Sequence, residues 1–178
     1  MGLRMQTVLK IFGFLALVVI VIGLFLSNKV DVRRSVEINA PVSSIHKFTN
    51  DLKQWSKWSP WLTQDPTIKT TLGKITQGVG ASQSWKGQSG NGELTFIESS
   101  PQTGIKYNMQ FDGDRTIYLS GLSYQTDGYK TTVTWYMTGE MEPIIIGNYF
   151  AQLMDGFVGD SFTQGLEKLK LIAEQDAH

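Results

Sequence analysis

The sequence has no cysteine and only two histidines, His46 and His178. The missing cysteine excludes disulfide bonds, thiolate metal sites, S-acylation and a cysteine nucleophile. With one internal histidine, the sequence shows no spacing typical of metal ligands, so no metal or other cofactor is predicted. Charge of one sign is also lacking, since sixteen basic and sixteen acidic residues cancel. Without a net positive field the chain is poorly suited to hold a polyanion, and nucleic acid is not an expected partner.

Apolar residues are plentiful: they make up 41% of the 178 positions, against 18% that are charged. These fractions are typical of a folded chain with one globular domain and an appendage. We divide the chain into a tail and anchor at residues 1–27, a domain at residues 28–174 and a short tail at residues 175–178.

The appendage is an apolar run at residues 8–26 in which only Lys10 is charged. As a helix rising 1.5 Å per residue, the run would be about 28 Å long, close to the thickness of the bilayer core. Lys10 lies one turn from the end, where its side chain can reach the headgroups. A cleaved signal peptide is the alternative, but no Ala-x-Ala pattern follows the run. We therefore expect a single-pass anchor in the inner membrane.

The orientation of this anchor is not decided by charge, because basic residues flank the run on both sides. The amino-terminal tail is short, which favours a signal-anchor. We therefore expect the domain on the extracytoplasmic side.

Short segments of alternating apolar and polar residues follow the anchor, and each ends at Gly, Asn, Asp or Pro. The first lies at residues 30–38, and we expect two short helices after it, one following Pro41 and one capped by Asp51. Asp-Gly pairs at residues 112–113 and 127–128 predict hairpin turns. The remaining strands, which predict an antiparallel meander, are expected at residues 67–72, 81–86, 93–98, 105–111, 115–125 and 129–138.

Apolar residues recur at helical spacing within residues 144–173, and we predict a long amphipathic helix there that begins after Pro143, at about Ile145 or later. A sheet with one apolar face can cover this helix, which predicts an α+β fold. The apolar stripe comprises Tyr149, Phe150, Leu153, Met154, Phe157, Phe162, Leu166, Leu169 and Ile172. Four glycines each cost about 1 kcal/mol relative to alanine. They indicate a close approach of the sheet, empty volume for a guest, or a kinked or frayed helix start. They are Gly147, Gly156, Gly159 and Gly165.

Four motifs stand out in the chain: DLKQWSKWSPW at residues 51–61, GVGASQSW at 78–85, VTW at 133–135 and DSFTQGL at 160–166. With these motifs, about residues 32–173 resemble bacterial proteins of the polyketide cyclase/START-like superfamily, often called SRPBCC. The resemblance implies a helix-grip fold, in which a curved antiparallel sheet wraps around a long carboxyl-terminal helix and encloses a deep apolar cavity. Members of the superfamily bind lipids, cyclise polyketides or act through contact with other proteins, so fold is implied more closely than function.

The wall of such a cavity is predicted from strand parity and from the final helix, although each residue also suits ordinary core packing. The predicted pocket residues are Trp85, Tyr107, Met109, Tyr124, Trp135, Phe150, Met154 and Phe157. A tryptophan cluster is interpreted either as core packing that seals one end of the sheet, or as a pocket rim or bilayer-facing aromatic patch. It consists of Trp55, Trp58 and Trp61.

Few side chains are suited to catalysis. Glu98 shares the parity of Leu94 and Phe96, so it could project into the cavity as an acid catalyst, but a solvent-facing strand end is the preferred alternative. For Asp160 and Arg115 a solvent-facing position is likewise preferred over a catalytic role, and His46 is also expected to be solvated. No catalytic residue is assigned.

These observations favour a membrane-anchored domain that binds a hydrophobic or amphipathic, lipid-like small molecule between the sheet and the carboxyl-terminal helix. A cyclase/dehydratase-like enzyme is one alternative, with Glu98 and tyrosines as its acid and base groups. A protein-interaction module at the membrane is another, although the sequence identifies no protein partner. An apolar cavity favours binding, a buried carboxylate favours catalysis, and a filled interior favours docking.

Overall fold

A computed structural model describes residues 2–113, 115–142 and 144–177. Helix α1 occupies Gly2–Phe25, strand β1 Lys29–Ile38 and helix α2 Val42–Thr49. A 3-10 helix at Leu52–Lys57 and the one-turn helix α3 at Trp61–Gln64 follow. The remaining elements are β2 Lys69–Leu72, β3 Ser82–Gly87, β4 Gly90–Ser100, β5 Gly104–Phe111, β6 Tyr118–Asp127, β7 Lys130–Glu140 and α4 Ile144–Asp176.

The strands form one curved antiparallel sheet in the order β1-β7-β6-β5-β4-β3-β2. From β2 to β7, strands that are consecutive in the chain are neighbours in the sheet, and β1 closes onto β7. This topology, with the long helix α4 at the end of the chain, confirms the predicted α+β helix-grip fold. Pro143, the predicted break before α4, lies outside the described residues.

The two short helices predicted after β1 are present, with one addition. The Asp51 carboxylate accepts a hydrogen bond from the Lys53 amide, which confirms its capping role, although the element that it caps is a 3-10 helix. Pro60 directly precedes the additional one-turn helix α3. Proline is compatible with a helix start because its fixed φ is helical and its missing N–H would lack an intrahelical partner there.

Helix α4 packs mainly on β1 and makes fewer contacts with β7. In its carboxyl-terminal half, Phe162, Leu166 and Leu169 are almost completely buried. Helix α2 and the 3-10 helix close the same end of the sheet with Ile45, Phe48, Leu52, Trp55 and Trp58. The core is therefore densest at the end of the sheet where β1 finishes.

Helix α1 stands apart from this core. Its segment Arg4–Phe25 has a mean hydropathy of 2.8 and is only 6% buried, so it is long and apolar enough to cross a membrane. A signal sequence meets the same criteria of length and composition. Its low burial is unlike that of a core helix in a soluble protein.

Candidate binding cleft

The deep interior between the sheet and α4 is filled by aromatic side chains of the protein itself. Trp135 stacks on Phe162 with ring centroids 4.2 Å apart and an angle of 7° between the rings. Trp58 lies 5.2 Å from Trp135, and Trp55 lies 5.6 Å from Tyr107, also between ring centroids. Trp135, Trp58, Trp55 and Tyr107 are each at most 4% exposed. Sequence-predicted pocket residues Tyr107 and Trp135 are thus part of a packed core.

The polar atoms of these buried rings have partners. Trp135 Nε1 donates to Tyr107 Oη at 3.0 Å, while Trp55 Nε1 and Trp58 Nε1 donate to the backbone carbonyls of Thr49 and Phe48. Such satisfied groups are typical of permanent core. Trp55 and Trp58 therefore belong to the core that seals one end of the sheet, the first of the two predicted interpretations. Trp61 is half-buried beside them.

Tyr124, another predicted pocket residue, lies at the far end of the interior from α1. Its hydroxyl is hydrogen-bonded to Thr49 Oγ1 and lies 3.4 Å from His46 Nδ1. Burial raises the pKa of Tyr124 and lowers the pKa of His46. Burial also raises the pKa of Tyr107, to about 12. Both tyrosines are therefore protonated at neutral pH and act as hydrogen-bonding groups of the core.

Glu98 does not face the interior. The register between β4 and β5 shifts between Phe96 and Glu98, and this bulge reverses the parity of the following residues. Glu98 is exposed on the outer face of the sheet, where Lys106 Nζ donates to its Oε1 at 2.7 Å. With Tyr136 the pair lines an outer depression of about 200 Å³. The preferred interpretation of Glu98 as a solvent-facing residue is therefore confirmed, and the alternative that it projects into the cavity is wrong.

The other candidate polar residues do not form a constellation. Asp160 and Arg115 are exposed, and His46 contacts Tyr124 at the opposite end of the domain from α1. Within residues 2–113, 115–142 and 144–177, no group of three His, Asp or Glu side chains is arranged to hold a metal ion.

A row of aromatic rings covers the inner face of the sheet at the end next to α1. Trp85 lies 5.8 Å from Phe111, and Phe111 lies 5.7 Å from Tyr118, measured between ring centroids. Two glycines make room for the row: a β-carbon on Gly92 would lie 2.4 Å from Trp85, and one on Gly139 would lie 2.6 Å from Tyr118. Tyr118 is buried, whereas Trp85 and Phe111 are half-buried despite their inward direction.

The first half of α4 provides the facing wall. Met154 and Val158 are half-buried, while Phe150 is 56% and Phe157 73% exposed. At about 100° per residue, Phe150 and Phe157 lie on the same flank of the helix as Ser161. At Ser161 that flank faces α3, because Ser161 Oγ donates to Gln64 Oε1 at 3.0 Å. Phe150 and Phe157 therefore lie at the edge of the space above the sheet and outside the packed interior.

We refer to this space as the cleft, and its position follows from the strand register. Lys29 pairs with Glu140, Met109 with Tyr118, and Trp85 with Gly92, so the aromatic row and the start of β1 share one end of the sheet. The cleft thus opens beside the junction of α1 and β1. We define the cleft by Trp85, Met109, Phe111 and Tyr118 on the sheet and by the half-buried Met154 and Val158 on α4, and we place the exposed Phe150 and Phe157 at its lip.

Sequence reasoning identified part of this group. Trp85, Met109 and Met154 were predicted and lie in the cleft, whereas Phe111, Tyr118 and Val158 were missed. Phe111 had a usable signal, since it shares the parity of Met109 in the same strand. Tyr118 had none, because apolar residues occupy both parities of its strand. Whether any of the predicted residues contacts a ligand stays a prediction.

Comparison with known proteins agrees with this architecture. The family model described as polyketide cyclase / dehydrase and lipid transport matches residues 29–174, and the chain belongs to this family. No protein of curated function matches the chain.

Several solved structures share the fold. A solution structure from Thermobifida fusca has a TM-score of 0.64 and 21% identity, over 83% of this chain and 95% of that one. The protein TTHA0849 from Thermus thermophilus gives a TM-score of 0.61 and 16% identity, over 83% of this chain and 99% of that chain. The di-domain ARO/CYC StfQ from the steffimycin biosynthetic pathway gives a TM-score of 0.64 and 10% identity, over 84% of this chain and 52% of that chain. At these identities the likeness concerns the fold alone.

Proposed function

We propose that this protein is a membrane-anchored binding domain that holds a hydrophobic or amphipathic, lipid-like molecule in the cleft. The observation that carries the proposal is the apolar, partly exposed wall formed by Trp85, Met109 and Phe111, which opens beside α1. Each methylene of an alkyl chain buried there contributes about 0.8 kcal/mol. Aromatic and methionine side chains adapt to irregular apolar guests, which suits them to this role.

The proposed site differs in one respect from the deep cavity expected from the resemblance. Trp55, Trp58 and Trp135 fill the deep interior, and by itself this filled interior favours the protein-interaction alternative. We favour binding because the apolar wall at the α1 end of the sheet is partly exposed, and we place the ligand there, in the open part of the fold. An amphipathic molecule can enter there from the membrane with its chain first. The family description, which includes lipid transport, supports this ligand class.

Cyclase-type catalysis is the alternative that the family description and the name of StfQ suggest. Such a reaction requires an acid or base group beside the bound molecule. Glu98, the carboxylate that this alternative would use, lies on the outer face in an ion pair with Lys106. We therefore favour binding over catalysis.

The anchor and its orientation are part of the proposal: α1 crosses the inner membrane once and the domain lies outside the cytoplasm. The exposed apolar surface of α1 supports the anchor. A carboxyl-terminal fusion to a reporter that is active only outside the cytoplasm tests the orientation. Activity is expected, and activity of a cytoplasm-specific reporter instead would reverse the assignment.

Ligand binding is tested by the lipid that the purified full-length protein retains, quantified by mass spectrometry. Met109→Glu places a carboxylate in the cleft, where desolvation opposes the uptake of an alkyl chain, so retained lipid should fall about tenfold. Leu171→Glu is the matched control, because Leu171 is 60% exposed on the distant half of α4. Both variants keep α1, so lipid retained around α1 contributes equally to both measurements. Equal retention by both variants and the wild type would refute a ligand in the cleft.

A further inference from the structure

The first turns of α4 are fastened to the end of α1 by side-chain hydrogen bonds. Tyr149 Oη donates to the carbonyl of Val19 at 2.7 Å, and Asn148 Nδ2 donates to the carbonyls of Gly23 and Leu26 at 2.7 and 2.9 Å. The Asn148 bonds satisfy the carbonyls of Gly23 and Leu26 at the end of α1, where backbone carbonyls lack an intrahelical partner. These contacts hold α4 beside the last turns of the proposed membrane span.

Two further contacts make this junction close. Gln152 Nε2 donates to the carbonyl of Ser27 at 2.9 Å. At Gly23 a β-carbon would lie 2.9 Å from Ile145 Cγ2 and 3.0 Å from Tyr149, so the small residue lets the helices touch. All these contacts join residues 145–152 of α4 to residues 19–27. Residues 144–152 of α4 therefore lie at the same depth as the carboxyl-terminal end of α1.

This part of α4 has the composition of a membrane-embedded segment. Residues 144–154 contain no charged side chain, and the run is bracketed by Glu142 and Asp155. On the flank away from α1, Ile146, Phe150 and Leu153 are 59%, 56% and 54% exposed. Their spacing of four and three residues puts them in one stripe. An exposed apolar stripe of this kind marks an interaction surface.

The length of the α1 span indicates what covers the stripe. Between Lys10 and Ser27 lie sixteen uncharged residues, which as a helix measure about 24 Å, roughly 6 Å less than the hydrocarbon core. With Lys10 reaching the headgroups on its own side, the hydrocarbon extends to or beyond Leu26 on the other. That is the level at which α4 lies beside α1.

We propose that residues 144–154 of α4 are embedded beside α1 in the leaflet from which α1 emerges, so that acyl chains cover Ile146, Phe150 and Leu153. This inference rests on the anchor in the proposed function. Asp155, paired with Arg34 at 2.8 Å, then lies at the headgroup level. Phe150 at the lip of the cleft contacts acyl chains, which gives a lipid tail a dry path from the bilayer to Phe111 and Trp85.

The protein has no cysteine, so single cysteines can report depth in the full-length chain without removing native thiols. We would label Ile146→Cys and Phe150→Cys with an environment-sensitive fluorophore in phosphatidylcholine/phosphatidylglycerol nanodiscs, and measure quenching by doxyl lipids and by aqueous iodide. Leu171→Cys is the control on the same helix, since Leu171 is apolar and 60% exposed but lies far from α1. Leu17→Cys, within the span, reports the anchor itself.

The expected result is quenching by doxyl lipids and protection from iodide at positions 146 and 150, with the opposite at position 171. If positions 146 and 150 behave like position 171 while position 17 is quenched by doxyl lipids, α4 is not embedded and the inference fails, with the anchor intact. If position 17 is also exposed to iodide, the anchor fails and the inference with it. Depth at these positions does not depend on ligand, so a failed lipid-retention test leaves the inference standing.

Discussion

The glycines of α4 have different surroundings, although the sequence presents them alike. A β-carbon on Gly156 would have no neighbour within 4 Å, whereas one on Gly165 would lie 2.7 Å from Trp135 and 3.1 Å from Pro60. At Gly159 the guanidinium of Arg34 occupies the adjacent space, with its Nη2 2.1 Å from the position of a β-carbon. At Gly159 and Gly165, side chains of the protein itself fill the volume that the sequence analysis considered for a guest.

Alanine at these glycines should therefore have opposite effects. Gly156→Ala raises the free energy of unfolding by about 0.5 to 1 kcal/mol, because alanine loses less backbone entropy in a helix. Gly165→Ala lowers it by about 1 to 3 kcal/mol, because the buried Trp135 ring must shift. Urea unfolding of the two variants measures both values. Shifts of the same sign would show that packing does not distinguish the two positions.

Asp65 connects α3 to the turn between β3 and β4. Its carboxylate accepts hydrogen bonds from the hydroxyl and amide of Thr67 and from the amide and hydroxyl of Ser89. The Thr67 hydroxyl, followed by the Ser89 groups, lowers the pKa of Asp65 well below its usual range. These bonds favour the ionised carboxylate, and the residue therefore stabilises the fold mainly in its charged form.

A folded-state pKa below the unfolded value gives a definite pH dependence. The contribution of Asp65 to stability is present above the ordinary aspartate pKa of about 3.9 and is lost as the pH falls towards the lower folded-state value. Asp65→Asn should thus lower the melting temperature at pH 7 and reduce the difference from wild type as the pH approaches 2. Thermal unfolding between pH 2 and pH 7 tests this, and a constant difference would contradict it.

Among the secondary-structure elements, the end of the 3-10 helix and the start of α3 place neighbouring tryptophans differently: Trp58 follows the 3-10 helix and Trp61 begins α3. Trp58 is fully buried against Trp55 and Trp135, whereas Trp61 is half-buried. Trp58→Ala should cost about 3 to 5 kcal/mol in the free energy of unfolding, the range for a buried aromatic. Trp61→Ala should cost less, because part of its ring already faces water. Equal costs in urea unfolding would mean that both residues belong to the same core.

At this scale the sequence predicted which elements exist and roughly where they begin. Alternation located the strands from 30–38 to 129–138, and the Asp-Gly pairs marked two hairpins, because both signals are local. Parity also placed Tyr107 and Met109 on the inner face correctly. It failed at Glu98, because a bulge adds a residue to one strand without changing the sequence pattern that precedes it.

The apolar stripe of α4 was also predicted only in part. Periodicity identified Phe162, Leu166 and Leu169 as core, and they are almost fully buried. It grouped Phe150 and Phe157 with them, although both are more than half exposed. Spacing shows that residues share a side of a helix, but the neighbours that cover that side are set by tertiary packing. Here α4 packs mainly on β1, which leaves its early flank beside the open cleft.

At the scale of the whole molecule, exposed or half-buried apolar residues of α1, α4 and the sheet lie at the same end of the domain. Ile146 and Phe150 of α4 are exposed like the apolar residues of α1, and Phe111 and Trp85 of the sheet are half-buried. The location of the cleft at the α1 end depends on the register of seven strands and on the α1–α4 junction. These are contacts between distant residues, which local sequence patterns do not predict.

Photo-crosslinking in nanodiscs tests the central claim most directly, namely that a lipid-like molecule enters the cleft. A phospholipid with a diazirine on its acyl chain is activated in the presence of the full-length protein, and the modified peptides are mapped by mass spectrometry. We expect crosslinks on β3 and β5, at Trp85, Met109 and Phe111, in addition to those on α1. Met109→Glu should remove the β3 and β5 crosslinks and spare those on α1. Crosslinks confined to α1 and the first turns of α4 would contradict the account.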